Sequence, residues 1–361
     1  MQFMKGLNPN KGPGENHTAI LENRYAIGMN ILMIGGTRFV GRHLVEEAIR
    51  KGHTVTLFNR GTNENVFPEL ELIKGDRNKD VELLSGRSWD AVIDTCGYFP
   101  GQVDSVLSVL KDRTEHYTFI SSISVYADQT IAFQDESSAL ASLEDESVEE
   151  VTGETYGGLK VLCEQVAENL MPDKLLTVRP GLIVGPHDST DRFTYWPSRI
   201  ARGGEVLAPD KPENDVQFID VRDLASWTIK MIETKQTGAY NLVTTPETQS
   251  FGDLLTACKD ASQSDAQFQW VKSEFLLEQD VQPWMGLPLW VTEDLLNFMK
   301  VSNQKALDAG LMIRPLIDTV KDTLEWARSL PDNHEPKAGI SLEKESDVLK
   351  RWRAQKFQVS Y

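Results

Sequence analysis

Cysteine is scarce in this sequence and cationic side chains are outnumbered. The 361 residues include three cysteines, Cys96, Cys163 and Cys258, far apart and without a Cys-x-x-Cys pair. A disulfide framework and a zinc knuckle are thereby disfavoured, no metal site is expected, and a reducing cytoplasm is the compartment that fits. No apolar run approaches the ~20 residues that cross a bilayer, so no membrane partner is expected. Residues 1–28 are rich in Asn, Gly and Pro and hold no signal-peptide core, so they read as a flexible leader ahead of the first strand. Lys and Arg number 37 against 54 Asp and Glu, a net charge of −17. That balance repels polyanions and argues against nucleic acid as a partner. The deficit is sharpest over residues 127–155, which hold nine carboxylates and no Lys or Arg. This stretch reads as a solvated loop that as a lid would disfavour a polyanionic substrate.

The chain is otherwise ordinary for a globular protein, 40% hydrophobic and 25% charged. Its length suits two domains. From Met29 onward short apolar runs alternate with helical spacing. Met29-Asn-Ile-Leu-Met-Ile-Gly35, Val55–Phe58, Leu70–Ile73, Ala91–Asp94, Tyr117–Ile120 and Leu175–Val178 read as strands. Phe39–Lys51, Lys79–Leu84, Val103–Leu110 and Tyr156–Leu170 read as helices. Such alternation predicts an α/β fold, a Rossmann-type doubly wound parallel sheet, over 29–180, to which part of 215–245 returns. Residues 181–330 are expected mainly to form a smaller C-terminal substrate lobe, with Trp196, Trp284 and Trp290 packing in it. Pro315–Leu330 reads as an amphipathic helix, and 331–361 as a charged appendage.

Gly35-Gly-Thr37-Arg38-Phe39-Val40-Gly41 joins the first strand to the first helix. Glycine there lets the chain turn tightly and lets a pyrophosphate approach N–H groups at the helix start. Arg42 and His43 follow Gly41 where a Walker A loop needs Lys and Ser/Thr, so that alternative fails. The second strand ends at Asn59-Arg60, about 20 residues on, where an acid would select NAD and an arginine NADP. Arg60 with Arg38 favours NADP, with NAD the alternative. Gly75-Asp76-Arg77 follows the third strand, where Asp76 could meet the adenine amino group or cap a helix.

Tyr156 and Lys160 stand at i and i+4 on one helical face. A phenol titrates too high for easy proton exchange at neutral pH, and a nearby ammonium would lower it. The pair could then act as general acid or base for a carbinol–carbonyl interconversion. Ser121-Ser122 ends the fifth strand, and ligands of doubly wound sheets lie outside strand carboxyl ends.

Together these residues resemble the short-chain dehydrogenase/reductase superfamily, and within it the extended, NAD-dependent epimerase/dehydratase-like branch. The resemblance runs from about Met29 to Leu330. It includes Arg179-Pro-Gly-Leu-Ile-Val-Gly-Pro186, Phe218-Ile-Asp-Val-Arg-Asp-Leu-Ala225 and Lys305-Ala-Leu-Asp-Ala-Gly-Leu311. It implies that Tyr156 is the acid/base, that Lys160 also holds the nicotinamide ribose, and that Ser122, four before Tyr126, assists. The cofactor would be held by Gly35, Thr37, Arg38, Phe39, Val40, Gly41, Asn59, Arg60, Asp76, Arg77, Thr95, Cys96, Gly97, Tyr156, Lys160 and Pro180. Arg38 replaces the branch's middle glycine, as in an atypical subgroup whose turn is shared with plant chloroplast stem-loop RNA-binding proteins. Leu182 stands where nucleotide-sugar enzymes often carry Asn.

The resemblance implies an NAD(P)-dependent oxidoreductase or epimerase/dehydratase acting on a small sugar-like or nucleotide-sugar-like molecule. A non-catalytic NAD(P)-binding or RNA-associated protein of the same fold is the alternative. Relatives imply a homodimer.

Overall fold

A computed structural model describes residues 28–331 and 333–358. Nearly all of the expected leader, and its expected flexibility, therefore lie outside the described residues. The first half runs β1 (Asn30–Ile34), α1 (Phe39–Arg50), β2 (Thr54–Asn59), β3 (Glu71–Lys74), β4 (Ala91–Asp94), α2 (Pro100–Leu110), β5 (Tyr117–Ile120), α3 (Tyr156–Leu170) and β6 (Leu175–Pro180). It continues through β7 (Leu182–Val184), α4 (Tyr195–Ala201), β8 (Glu205–Pro209), β9 (Phe218–Asp220), α5 (Val221–Glu233) and β10 (Gly238–Leu242). The chain then closes with α6 (Phe251–Ser262), β11 (Gln267–Val271), α7 (Ser273–Glu278), α8 (Gln304–Asp308), α9 (Leu316–Arg328) and α10 (Leu342–Gln358).

Seven strands form one parallel sheet in the order β10-β6-β5-β4-β1-β2-β3. The period-2 alternation of β1 explains why helices cover both faces. Ile31 and Met33 pack with Leu44 and Val45 of α1 and with Leu224 and Ile229 of α5. Leu32 and Ile34 face the other way, with Val103 and Leu107 of α2 and Cys163 and Ala167 of α3. A strand buried on both sides reads as a continuous apolar run, and β1 does. The order reverses beside β1, between β2 and β4, which opens a crevice at their carboxyl ends. The helix expected over Lys79–Leu84 is a single 3₁₀ turn, Val81–Leu84, cut short by Gly86 at φ +77°.

The second lobe has its own core around Trp196, Phe251, Trp290 and Val206, with two short parallel pairs, β7 with β9 and β8 with β11. Trp196 and Trp290 are fully buried, and their indole N–H groups donate to the Pro288 carbonyl and to Ser273 Oγ.

The charged appendage expected over 331–361 is in part a correction. Helix α10 places Val348 and Leu349 in that core, and Glu345, 3% exposed, pairs with buried Arg199 at 2.6 Å and accepts from the Leu207 amide. Glu345, Val348, Leu349 and Trp352 follow helical i, i+3, i+4, i+7 spacing. The surrounding charges face solvent and hide that stripe in the composition.

Candidate active site

The glycine turn is built by contact as well as conformation. Gly36 has φ +91°, and a Cβ on Gly41 would lie 2.7 Å from the Gly36 nitrogen and 2.8 Å from its Cα. Helix α1 therefore starts against the backbone of the turn, with no side-chain cap on its first amides. Those N–H groups remain available to an anion. Asn59 is engaged in the turn itself: its amide donates to the Gly35 carbonyl at 2.9 Å and accepts from the Gly61 amide.

A groove of about 550 Å³ opens over the turn, walled by Gly35, Thr37, Phe39, Val40, Gly41, Thr95 and Cys96. Arg38, Arg60 and Asp76 rim it. Both arginines are exposed and make no ion pair among the described residues, and Asp76 is held below the usual carboxylate range, first by the Asn78 amide. Arg77 touches the groove, but its guanidinium is spent elsewhere. It pairs with fully buried Asp94 at 2.7 and 2.8 Å and donates to the Gln102 carbonyl. Burial opposes the charge on Asp94, yet Arg77 outweighs it and holds the carboxyl low. Arg77 thus braces the groove wall instead of offering its charge to a ligand.

A second cavity of about 680 Å³ adjoins the groove, and Phe39, Val40, Thr95 and Tyr98 line both. Here the structure brings Ser122, Tyr156, Lys160 and Pro180 together from the turn after β5, from α3 and from β6. Lys160 is 3% exposed and donates to the Gly97 and Ile120 carbonyls at 2.8 and 2.9 Å. Its ammonium also lies 4.7 Å from the Phe119 ring centroid and 6.0 Å from that of Tyr156. Burial lowers it to about 8, still a cation at neutral pH. Gly97 contributes through that carbonyl, and a Cβ there would meet Phe119 at 2.8 Å.

The expectation that Lys160 draws the phenol down is not met. Burial pushes Tyr156 above its ordinary value and the Tyr98 phenol adds to this, while Ser122 and Arg192 pull back without cancelling it. The reason is geometric: the ammonium is turned toward two backbone carbonyls. Tyr156 is therefore a protonated phenol at neutral pH, suited to give its proton to a carbonyl oxygen. Ser122 caps a short 3₁₀ turn, accepting from the Ser124 amide and donating to Ser124 Oγ at 3.1 Å.

Several residues of the site were given no role of their own by the sequence. Ser121 is buried, lines the cavity and has an unpartnered hydroxyl. Arg192, Trp284, Val291, Leu295 and Phe298 come from the second lobe, beyond the last motif residue of the sheet, Pro180. Tyr98 directly follows Thr95-Cys96-Gly97 and was within reach of that motif. The acidic stretch closes one side, with Gln129, Val151, Thr152 and Gly153 on the cavity. It is tied down by backbone bonds from Ala127 to Ala139, Ala141 to Val125 and Phe133 to Lys300. Glu136 accepts from the Asn241 amide, and Leu143 seats against Gly158.

Residues 31–103 and 101–242 match the NAD dependent epimerase/dehydratase family. The chain belongs to that family. It is 26% identical over 254 residues to the chloroplast stem-loop binding protein of 41 kDa b of Arabidopsis thaliana, covering 64% of this chain and 62% of that protein. Phenylcoumaran benzylic ether reductase TP7 of Nicotiana tabacum is 22% identical over 75% of this chain and 86% of its own length. The chain thus spans about 62% of the first of these relatives. Among solved structures, UDP-glucuronic acid 4-epimerase from Bacillus cereus in complex with NAD aligns at TM-score 0.61 and 14% identity, over 85% of this chain and 99% of that one. UDP-glucose-4-epimerase from Stenotrophomonas maltophila with bound NAD and formylated UDP-arabinopyranose gives TM-score 0.60 at 20% identity, over 83% and 98%. These structures share the fold of this family member.

The residues present fit a dinucleotide: close-packed glycines that a Cβ would block, uncapped helix amides, and an orphaned Ser121 hydroxyl in the adjoining cavity. The turn would hold the pyrophosphate, and Lys160 and Pro180 would flank the nicotinamide end. When bound, such a cofactor supplies or accepts the hydrogen and electron pair exchanged with the substrate carbon.

Proposed function

We propose that this protein is an NADP-dependent oxidoreductase or epimerase acting at a carbinol or carbonyl carbon of a small molecule. The observation that carries the reading is the shared wall of Phe39, Val40, Thr95 and Tyr98, which joins the glycine-turn groove to the cavity holding Ser122, Tyr156 and Lys160. In the reducing direction Tyr156 gives its proton to the substrate oxygen, Ser122 orients that oxygen, and Lys160 holds the surrounding carbonyls in place. In the oxidising direction the proton returns to Tyr156. Sugar-like and nucleotide-sugar-like substrates suit the family. Arg38 and Arg60 support NADP over NAD, as cations at the groove's rim that make no ion pair among the described residues. The stem-loop binding relative raises a nucleic-acid reading, which the net charge of −17 opposes. Three free cysteines support a reducing compartment, the cytoplasm in our reading. Among the described residues, no helix is long and apolar enough to cross a membrane.

The test is to denature purified protein, identify any released nucleotide, and titrate the emptied and refolded or nucleotide-free protein with NADPH and NADH. An exchangeable site that prefers NADPH, with Arg60→Ala costing about tenfold for NADPH and little for NADH, supports a dissociating reductase. A retained NAD⁺ or NADP⁺ supports an epimerase that returns its hydrogen each cycle. Absence of any nicotinamide binding overturns the reading.

A further inference from the structure

We infer that the substrate carries a single oxyanion on a largely apolar body, and that Arg192 receives it. The inference rests on the site assigned above and narrows what that site accepts. Among the described residues lining the 680 Å³ cavity, the only charged side chains are Lys160 and Arg192. Lys160 is committed to two backbone carbonyls. Arg192 is not committed: its Nε donates to Thr190 Oγ1 at 3.2 Å, and it makes no ion pair among the described residues. Asp188, the acid whose charge it feels, is itself buried and bonded to the amide and hydroxyl of Thr190. A part-buried guanidinium with an open face is costly unless something anionic meets it, and its planar fork matches a carboxylate or a phosphate monoester.

Arg192 also acts on the Tyr156 phenol, so the anion it binds lies on the reacting side of the cavity. Pro283, Trp284, Val291, Leu295 and Phe298 line the same cavity and offer apolar and aromatic surface to the rest of the molecule. A nucleoside diphosphate would bring two or more charges to a cavity whose described residues offer one uncommitted cation, and the acidic stretch that closes one side adds repulsion. The geometry therefore favours a monoanionic, apolar aldehyde, ketone or alcohol over a UDP-linked sugar, unlike the substrates named for the two structural neighbours above.

The experiment uses full-length protein saturated with NADP⁺, which cannot reduce an aldehyde, and reads binding by calorimetry. The probes are 4-formylbenzoate, its uncharged methyl ester, 4-formylphenyl phosphate and UDP-glucose. The expected result is binding of 4-formylbenzoate at least about tenfold tighter than of the ester. In Arg192→Met that ratio falls to within about twofold while NADP⁺ affinity is unchanged, and Arg192→Lys keeps part of it. Tighter binding of 4-formylphenyl phosphate, which carries close to two charges at neutral pH, than of the benzoate shows that the cavity takes a second charge and overturns the inference. A wild-type ratio near one, no binding of either member of the pair, or tighter binding of UDP-glucose overturns it. The wild-type ratio decides the matter even where a variant fails to fold. NADP⁺ binding, measured in the same samples, separates failure of this inference from failure of the cofactor reading.

Discussion

The two adjoining cavities are built on opposite plans. The groove over the glycine turn is floored by closely packed backbone, and its lining comes from the carboxyl ends of β1, β2, β3 and β4 with the loops that follow them. The reaction cavity is made of large side chains from the sheet, from α3, from the acidic stretch and from the second lobe. One recognises a ligand by how closely the main chain can approach it. The other recognises a ligand by which side chains happen to converge. A shared frame can therefore keep its nucleotide while its substrate changes, because the second cavity can be relined without touching the first.

The largest expected effect separates the two cavities outright. Tyr156→Phe removes the proton donor but no groove contact, so turnover of any substrate should fall about 10²–10⁴-fold with cofactor affinity held within about twofold. Steady-state kinetics beside an NADPH titration checks this; equal loss of both would break the distinction. Gly41→Ala attacks the other side. Its Cβ would press on Gly36 backbone that cannot swing away, so nucleotide binding should weaken on the order of a hundredfold with a lowered melting temperature. Fluorescence titration and a thermal melt read both quantities, and wild-type affinity in that variant would refute the close-packed turn.

The smallest effect concerns Lys160, at the junction. Burial holds it at about 8 in the folded protein, against an ordinary lysine value near 10.4 in the unfolded chain. Between those values the unfolded chain keeps a proton that the folded one has released, so the contribution of Lys160 to stability rises with pH by up to about 1.4 kcal/mol per unit. Below pH 8 both states hold the proton and the slope vanishes. The wild-type melting temperature minus that of Lys160→Met should thus be flat from pH 6 to 7.5 and climb by a few degrees by pH 10. A difference that stays flat throughout would mean the ammonium is better solvated than its two carbonyl contacts imply.

Legibility followed the same division. The groove could be read because its chemistry is local: Gly35, Gly36 and Gly41 sit within seven consecutive residues, and strand-before, helix-after context is a pattern of neighbours. Tyr156 and Lys160 were legible for the same reason, being one helical turn apart. Arg192 was not, since nothing in Asp191-Arg192-Phe193 announces that its side chain lines the same cavity as Tyr156. Arg77 misled in the other direction. Its position beside Asp76 suggested a ligand contact, but the buried partner that claims it, Asp94, lies 17 residues away and became its neighbour only through the sheet. Helix α10 was missed because its apolar stripe is thin against a charged background, and it took the Arg199–Glu345 pair to show that the helix is packed.

By itself the sequence determined the parallel α/β plan, the glycine turn and the pairing of Tyr156 with Lys160 that we propose for proton transfer, because each depends on periodicity or on spacing along one element. Tertiary structure alone decided where the Lys160 ammonium points, that burial keeps Tyr156 protonated, and that Arg192, without an ion pair among the described residues, lines the cavity that holds Tyr156. Those properties depend on desolvation and on groups brought from distant segments, and neither is a function of spacing along the chain.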